Sequence, residues 1–243
     1  MSSYSSLVLL REAWRPDPAQ LAEVLTTRFP GLGTTEAVGG ESGAELCGLE
    51  IGGALVAVES VAAQIPFDPL AAPLQPIRDW EPAETCQSHA AHLRIVTADE
   101  GEGLAGAKAR AARVTVLAGV LSRMAQALAV YYPGSGALLR PDAALRAAHE
   151  AHGAVSPIEA WASLFPVGPA NDDDGVLHGA FTLGLEPFIG REIEIAPVPI
   201  TRRKARDRLY GMVWKALDGD DPLDDGTELR DADDRLIGTV RLR

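Results

Sequence analysis

The run CQSHAAHLRIV, Cys86 to Val96, places a thiol and two imidazoles, His89 and His92, within seven residues. Histidines three apart on a helix share a face and can reach one ion. His149 and His152 in HEAHG repeat the spacing, so the two pairs would together supply four ligands. HEAH is one residue short of HExxH, the pattern of helical zinc hydrolases. If His89 to His92 instead spans a helix end and a strand start, its rings point apart. They then form a hydrogen-bonded buried pair tying the preceding crossing segment to a sheet. His149 and His152 read as the exposed end of an amphipathic helix, where a late imidazolium complements the macrodipole. Such spacing without further cysteine or acidic partners is nonspecific, so neither pair is assigned a metal and no cofactor is expected.

Glu192 and Glu194 in REIEI fall on one face of a strand by its period of two, as an acid–base pair or as the wet face of a half-buried strand. GEGLAG, Gly101 to Gly106, has the G-x-G-x-x-G spacing between a strand and a helix. Asp99, Glu100 and Glu102 would repel a pyrophosphate there, and no acidic residue closes a second strand some twenty positions on. The loops NDDDG and DGDDPLDDGTE fail the EF-hand register: Ala170 takes the first place in one and Leu223 the third in the other. No G-x-S-x-G is present, and Ser88 beside His89 is a sequence neighbour only. No catalytic set assembles.

These residues sit on a chain whose periodicities alternate strands with helices. SLVLLREAW reads as a strand, and a helix begins at DPAQLAEVLTTRF, with Asp17 as cap and Pro18 in the first turn. TTEAVGG, AELCGLEI and ALVAVESVAAQI follow as strands, IGGAL marking a two-residue hairpin. AHLRIVTA is a strand, and the Ala-rich run from Gly103 reads as one helix to about Tyr132. After GALLR comes a helix capped by Asp142. HGAFTLGLEPFIG and REIEIAPVPI are expected as two strands about a glycine turn, before a helix from Thr201 to Leu217 and a closing hairpin. Hairpins outnumber parallel crossovers, so the expected fold is α+β, mostly antiparallel sheets packed with helices, in one domain over 1–243. Two similar halves, 1–140 and 141–243, are an open subdivision.

Composition bounds the function classes. Hydrophobic residues make up 47% and charged residues 23%, enough for an ordinary core. A net charge of −12 and a pI near 4.8 oppose phosphate backbones and anionic lipid, so neither nucleic acid nor membrane is expected as a partner. The one basic stretch, TRRKARDR from Thr201 to Arg208, reads as a solvated helix face followed by Leu209, Met212 and Trp214. Cys47 and Cys86, thirty-nine positions apart, show no CxxC pattern. The N-terminus lacks a basic region and a long apolar run, so a cytoplasmic protein is expected.

WEPAETCQSHAAHLRIV, VYYPGSGALL, AWASL, FTLGLEPFIGREIEI and LDDGTEL occur in the order seen in a bacterial family, domain of unknown function 4261, which the chain resembles from about Leu7 to Thr227. The most specific match is Thr182, Gly184, Leu185, Phe188, Glu192 and Glu194; the His-x-x-His pair matches too. The resemblance implies a stand-alone bacterial cytoplasmic protein and draws Trp80, His89, His92, Thr182, Glu192 and Glu194 together as a ligand- or partner-binding cluster. It brings no established activity, but implies a setting near toxin-immunity and secretion genes. The expectation is a noncatalytic protein-binding module, an immunity or adaptor protein that meets a basic partner through its acidic surface. The alternative is a metal- or small-ligand-dependent enzyme using His89, His92 and Glu192.

Overall fold

In the computed structural model, which describes residues 2–33, 35–39, 43–66, 87–99, 101–169, 176–219, 226, 228–230 and 236–242, the chain divides into two units, Met1–Trp161 and Ala162–Arg243. The first contains β1 (Ser2–Leu10), α1 (Pro18–Arg28), β2 (Thr35–Gly39), β3 (Leu46–Ile51), β4 (Ala54–Val61), β5 (Ala91–Asp99), α2 (Gly103–Met124), β6 (Ala129–Tyr132), β7 (Ala137–Leu139), α3 (Pro141–His152) and α4 (Ile158–Trp161). Its seven strands form one antiparallel sheet in the order β2-β3-β4-β5-β1-β6-β7. The α+β architecture with antiparallel sheets follows from hairpin chemistry. Ile51 pairs with Ala54 across a loop whose Gly52 and Gly53 have φ of 58° and 79°, values that a two-residue primed turn demands.

Helices cover one face of this sheet, α1 on β2 and β3 and α2 on β1, β5 and β6. Asp17 starts α1 by accepting the Gln20 N–H at 3.0 Å, and Leu21 and Leu25 bury its inner stripe. The middle of α2, from Val114 to Ser122, is buried on every side because α3 covers the surface turned away from the sheet. Gly119 makes that approach possible: a Cβ there would lie 2.7 Å from the Ala148 Cβ and 2.8 Å from the Ala144 carbonyl oxygen. Beside them Trp161, also buried, donates from Nε1 to Thr115 Oγ1 at 2.9 Å.

Three element boundaries differ from the sequence reading. α2 ends at Met124, not near Tyr132, because Gln126 takes φ 48° and the Leu128 N–H bonds the Leu9 carbonyl, starting β6. Pro141 opens α3, so Asp142 lies in its first turn and Arg140 is the cap residue. β9 stops at Leu183, and LEPFI contributes a short helix before the next strand.

The second unit contains β8 (Ser163–Val167), β9 (His178–Leu183), α5 (Glu186–Ile189), β10 (Ile193–Val198), α6 (Arg202–Asp218), β11 (Glu228–Arg230) and β12 (Leu236–Leu242). Five antiparallel strands run in the order β11-β12-β10-β9-β8. Thr201 caps α6, accepting the Lys204 N–H, and Ala205, Leu209, Met212, Val213 and Leu217 are the helix's buried stripe, packed on β8, β9 and β10. On the opposite sheet face Phe165 and Phe181, cross-strand partners, stack with centroids 5.0 Å apart.

Candidate functional site

Each singled-out histidine of CQSHAAH is bound to backbone. His89 is buried, and its Nε2 accepts the Ile65 N–H at 2.8 Å. That bond fixes the neutral ring with its proton on Nδ1, and it occupies the Nε2 lone pair that a metal ion would need. His92, inside β5, donates from Nδ1 to the Ala63 carbonyl at 2.9 Å. The two rings therefore staple the residues just after β4 to the start of β5. One consequence is packing: Ile65 is held against Leu9, Ala129 and Leu138.

The second histidine pair, at the end of α3, packs on an aromatic ring. Phe29 lies 5.1 Å from His149 and edge-on to His152 at 5.3 Å, which closes the end of α3 over the end of α1. Among the described residues no three His, Cys, Asp or Glu side chains are grouped to hold a metal ion. Cys47 is a free, buried thiol whose pKa burial pushes up, so it is held in the unreactive form. Trp80 and Cys86 lie outside the described residues, as do NDDDG and most of DGDDPLDDGTE.

Thr182 and Glu192 are brought together. Glu192 precedes β10, and its Oε1 accepts the N–H groups of Gly184, Leu185 and Glu186 at 2.7, 3.0 and 3.2 Å. Its Oε2 accepts the Thr182 hydroxyl at 2.7 Å, and Thr182 Oγ1 in turn accepts the Ile193 N–H at 2.8 Å. Successive N–H groups around one oxygen make an anion nest, here filled by the chain's own carboxylate. Gly184 at φ 110° aims those donors, and Gly190 at φ 75° reverses the chain so that Glu192 returns over them. The motif T-x-G-L-x-x-F-x-x-x-E is thus a closed hydrogen-bond circuit. Glu194 lies one strand period further on, with Phe181 and Arg241 as its register partners. His89 and His92 belong to the first unit, and Thr182, Glu192 and Glu194 to the second.

GEGLAG is also internally filled. Arg110 donates to the Gly101 carbonyl, and a Cβ on Gly106 would lie 2.4 Å from the Gly101 carbonyl carbon. β5, which leads into it, is antiparallel to both neighbours, unlike the parallel unit of a dinucleotide fold.

Four features escaped the sequence reading. Val38, Leu46 and Leu55 are 49%, 58% and 57% exposed on the face of the first sheet opposite α1 and α2. A cleft of about 280 Å³ at the edge strand β7 is lined by Leu138, Leu139, Arg140, Asp142, Arg146 and Glu159. Its charges are mutually paired: Arg146 lies 2.8 Å from Glu159, whose hydrogen bond raises the Arg146 pKa, and Arg140 lies 3.4 Å from Asp142. His178 is wholly buried in β9, with neither ring nitrogen hydrogen-bonded among the described residues. Trp214 on α6 is 51% exposed. Only period counting on β3 and β4 could have revealed the first, since it puts Leu46 and Leu55 on the polar side.

Among the described residues no helix is long and apolar enough to cross a membrane. No protein-family model matches the chain, and no curated protein or solved structure matches it.

Proposed function

We propose that this chain is a noncatalytic protein-binding module that meets a basic partner through the face of its first sheet opposite α1 and α2. The observation that carries this reading is the acid-rimmed apolar patch on β2, β3 and β4. Val38 and Leu55 overhang Gly48, where an added Cβ would lie 3.3 and 3.5 Å from their methyl groups. Leu46 extends the patch along β3, and Glu36 and Glu50, cross-strand partners, flank it with Leu55 opposite Glu50. Half-exposed aliphatic side chains gathered on one face mark an interaction site, and an acidic rim selects a cationic partner and speeds encounter. The net charge of −12 favours the same sign of partner.

The reading gains support from how the reactive-looking groups are spent. The His89 Nε2 lone pair and all the Glu192 contacts hold backbone or a neighbouring hydroxyl, work that positions loops and not a substrate. An adaptor or immunity role beside a bacterial toxin or secretion system, in the cytoplasm, is the setting that the sequence resemblance suggests.

The test is affinity capture from the source cells with the full chain, alongside a Leu46→Asp/Leu55→Asp variant. A partner of basic pI that is retained by the parent, lost from the variant and released as salt rises is the expected result. Capture that ignores both the substitutions and the salt would overturn it.

A further inference from the structure

The outward face of α6 combines features that the acidic sheet patch does not. With Ala205, Leu209, Met212 and Val213 buried, helical geometry turns Arg203, Lys204, Asp207, Tyr210, Gly211 and Trp214 outward. Tyr210 is 49% and Trp214 51% exposed, one turn apart. Beside them Gly211 leaves the surface open, with no atom within 4 Å of the position a Cβ would take. The two rings, four residues apart, form an exposed aromatic pair with free space at its side. Toward the helix start the Arg203 side chain is 81% exposed and that of Arg206 60%. Asp207, the acid on this face, sits 3.6 Å from Arg203 and 3.4 Å from Arg206, so its charge is offset locally.

Charge is sharply segregated here. Residues 202–218 hold six Lys and Arg against two Asp, in a chain whose total is −12. Tyr, Trp and Arg are the side chains that dominate binding energy at protein interfaces, where large rings seat a partner residue and guanidinium groups grip carboxylates.

We propose that this face of α6 is a second docking surface, for an acidic protein segment that places carboxylates on Arg203, Lys204 and Arg206 and an apolar side chain against Tyr210 and Trp214. From Arg203 to Trp214 the helix extends roughly 16 Å, which matches about three turns of a partner helix or five extended residues. A nucleic-acid strand fits less well. It would run beyond this short patch into the field of a chain that is more negative everywhere else. The surface goes beyond the proposed function: it takes a partner of opposite charge, and the two together would make the chain a bridge.

The test uses the full chain and a fluorescein-labelled helical peptide of repeating Glu-Glu-Leu-Ala, with fluorescence anisotropy as readout and a poly-uridylate 20-mer as the nucleic-acid probe. Peptide binding at low salt is expected to weaken about tenfold or more in 0.5 M NaCl, in Trp214→Ala and in Arg203→Glu/Lys204→Glu. Melting temperatures of the variants should stay within about 2 °C of the parent, because these side chains are not buried. Leu46→Asp/Leu55→Asp should leave peptide binding unchanged, which separates failure of this surface from failure of the sheet patch. No peptide binding at millimolar concentration, binding indifferent to all three changes, or tighter binding of poly-uridylate through the same residues would each overturn the proposal.

Discussion

His89 in the first unit and Glu192 in the second do the same job by different means. Each satisfies backbone N–H groups where the chain leaves regular structure, yet His89 does so with a neutral ring across twenty-four residues, and Glu192 with a carboxylate across six to eight. Hydrogen bonds to a charged group contribute about 1.5–3 kcal/mol each against about 1 for neutral ones, and short loops cost less entropy to close. The carboxylate clasp is a strong local device that orders one turn. The histidine staple is a weaker long-range one, useful because it also delivers Ile65 to an apolar cluster. Groups that look reactive in sequence have been used to pin backbone, with chemistry matched to loop length.

The contrast between the units can be broken most strongly with alkali. Tyr4 and Tyr132 are buried in the first unit, and desolvation raises both phenols above their ordinary value of 10.0. A raised folded value means full stability below pH 10 and loss above it, as the unfolded chain ionises while the folded one stays neutral. Each group should cost the first unit up to about 1.4 kcal/mol per pH unit above 10, seen as faster amide exchange there than in the second unit. Equal alkaline loss in both units would contradict this.

Next in size, Glu192→Ala should destabilise the second unit by about 2–4 kcal/mol, since three N–H groups and the Thr182 hydroxyl lose their acceptor. His89→Ala should cost the first unit about 1–3 kcal/mol. Unit-resolved hydrogen exchange reads both, and a larger effect for His89 would reverse the ranking of clasp over staple. The smallest effect has the opposite sign. His178 in the second unit is buried like His89 but without its partner, so His178→Leu should stabilise by about 1 kcal/mol in thermal or urea melts. Destabilisation would show that the ring has work of its own.

Much of the fold was legible because it rests on local chemistry. Asp17 and Thr201 as caps, the Gly52–Gly53 hairpin and the strand–helix–strand–strand–strand opening are set by neighbours within a few residues. The end of α2 was not legible, because Ala125–Leu128 has good helix formers and the stop is imposed by docking of Leu128 on Leu9. Of the candidate site, only the family resemblance put Thr182 and Glu192 in one cluster, and the purpose of their contact was not legible. A strand period placed Glu192 beside Glu194, whereas the turn through α5 swings it onto the N–H groups of Gly184 to Glu186.

The sequence alone determined the α+β class, the acidic charge and most strand and helix positions, because propensity, capping and periodicity act over a few residues. Tertiary structure decided which polar groups are occupied and which surfaces stay open. The His89 lone pair is taken by an N–H twenty-four residues away, and Trp214 and Leu55 are exposed, because a lone pair and a face are assigned only when distant segments meet.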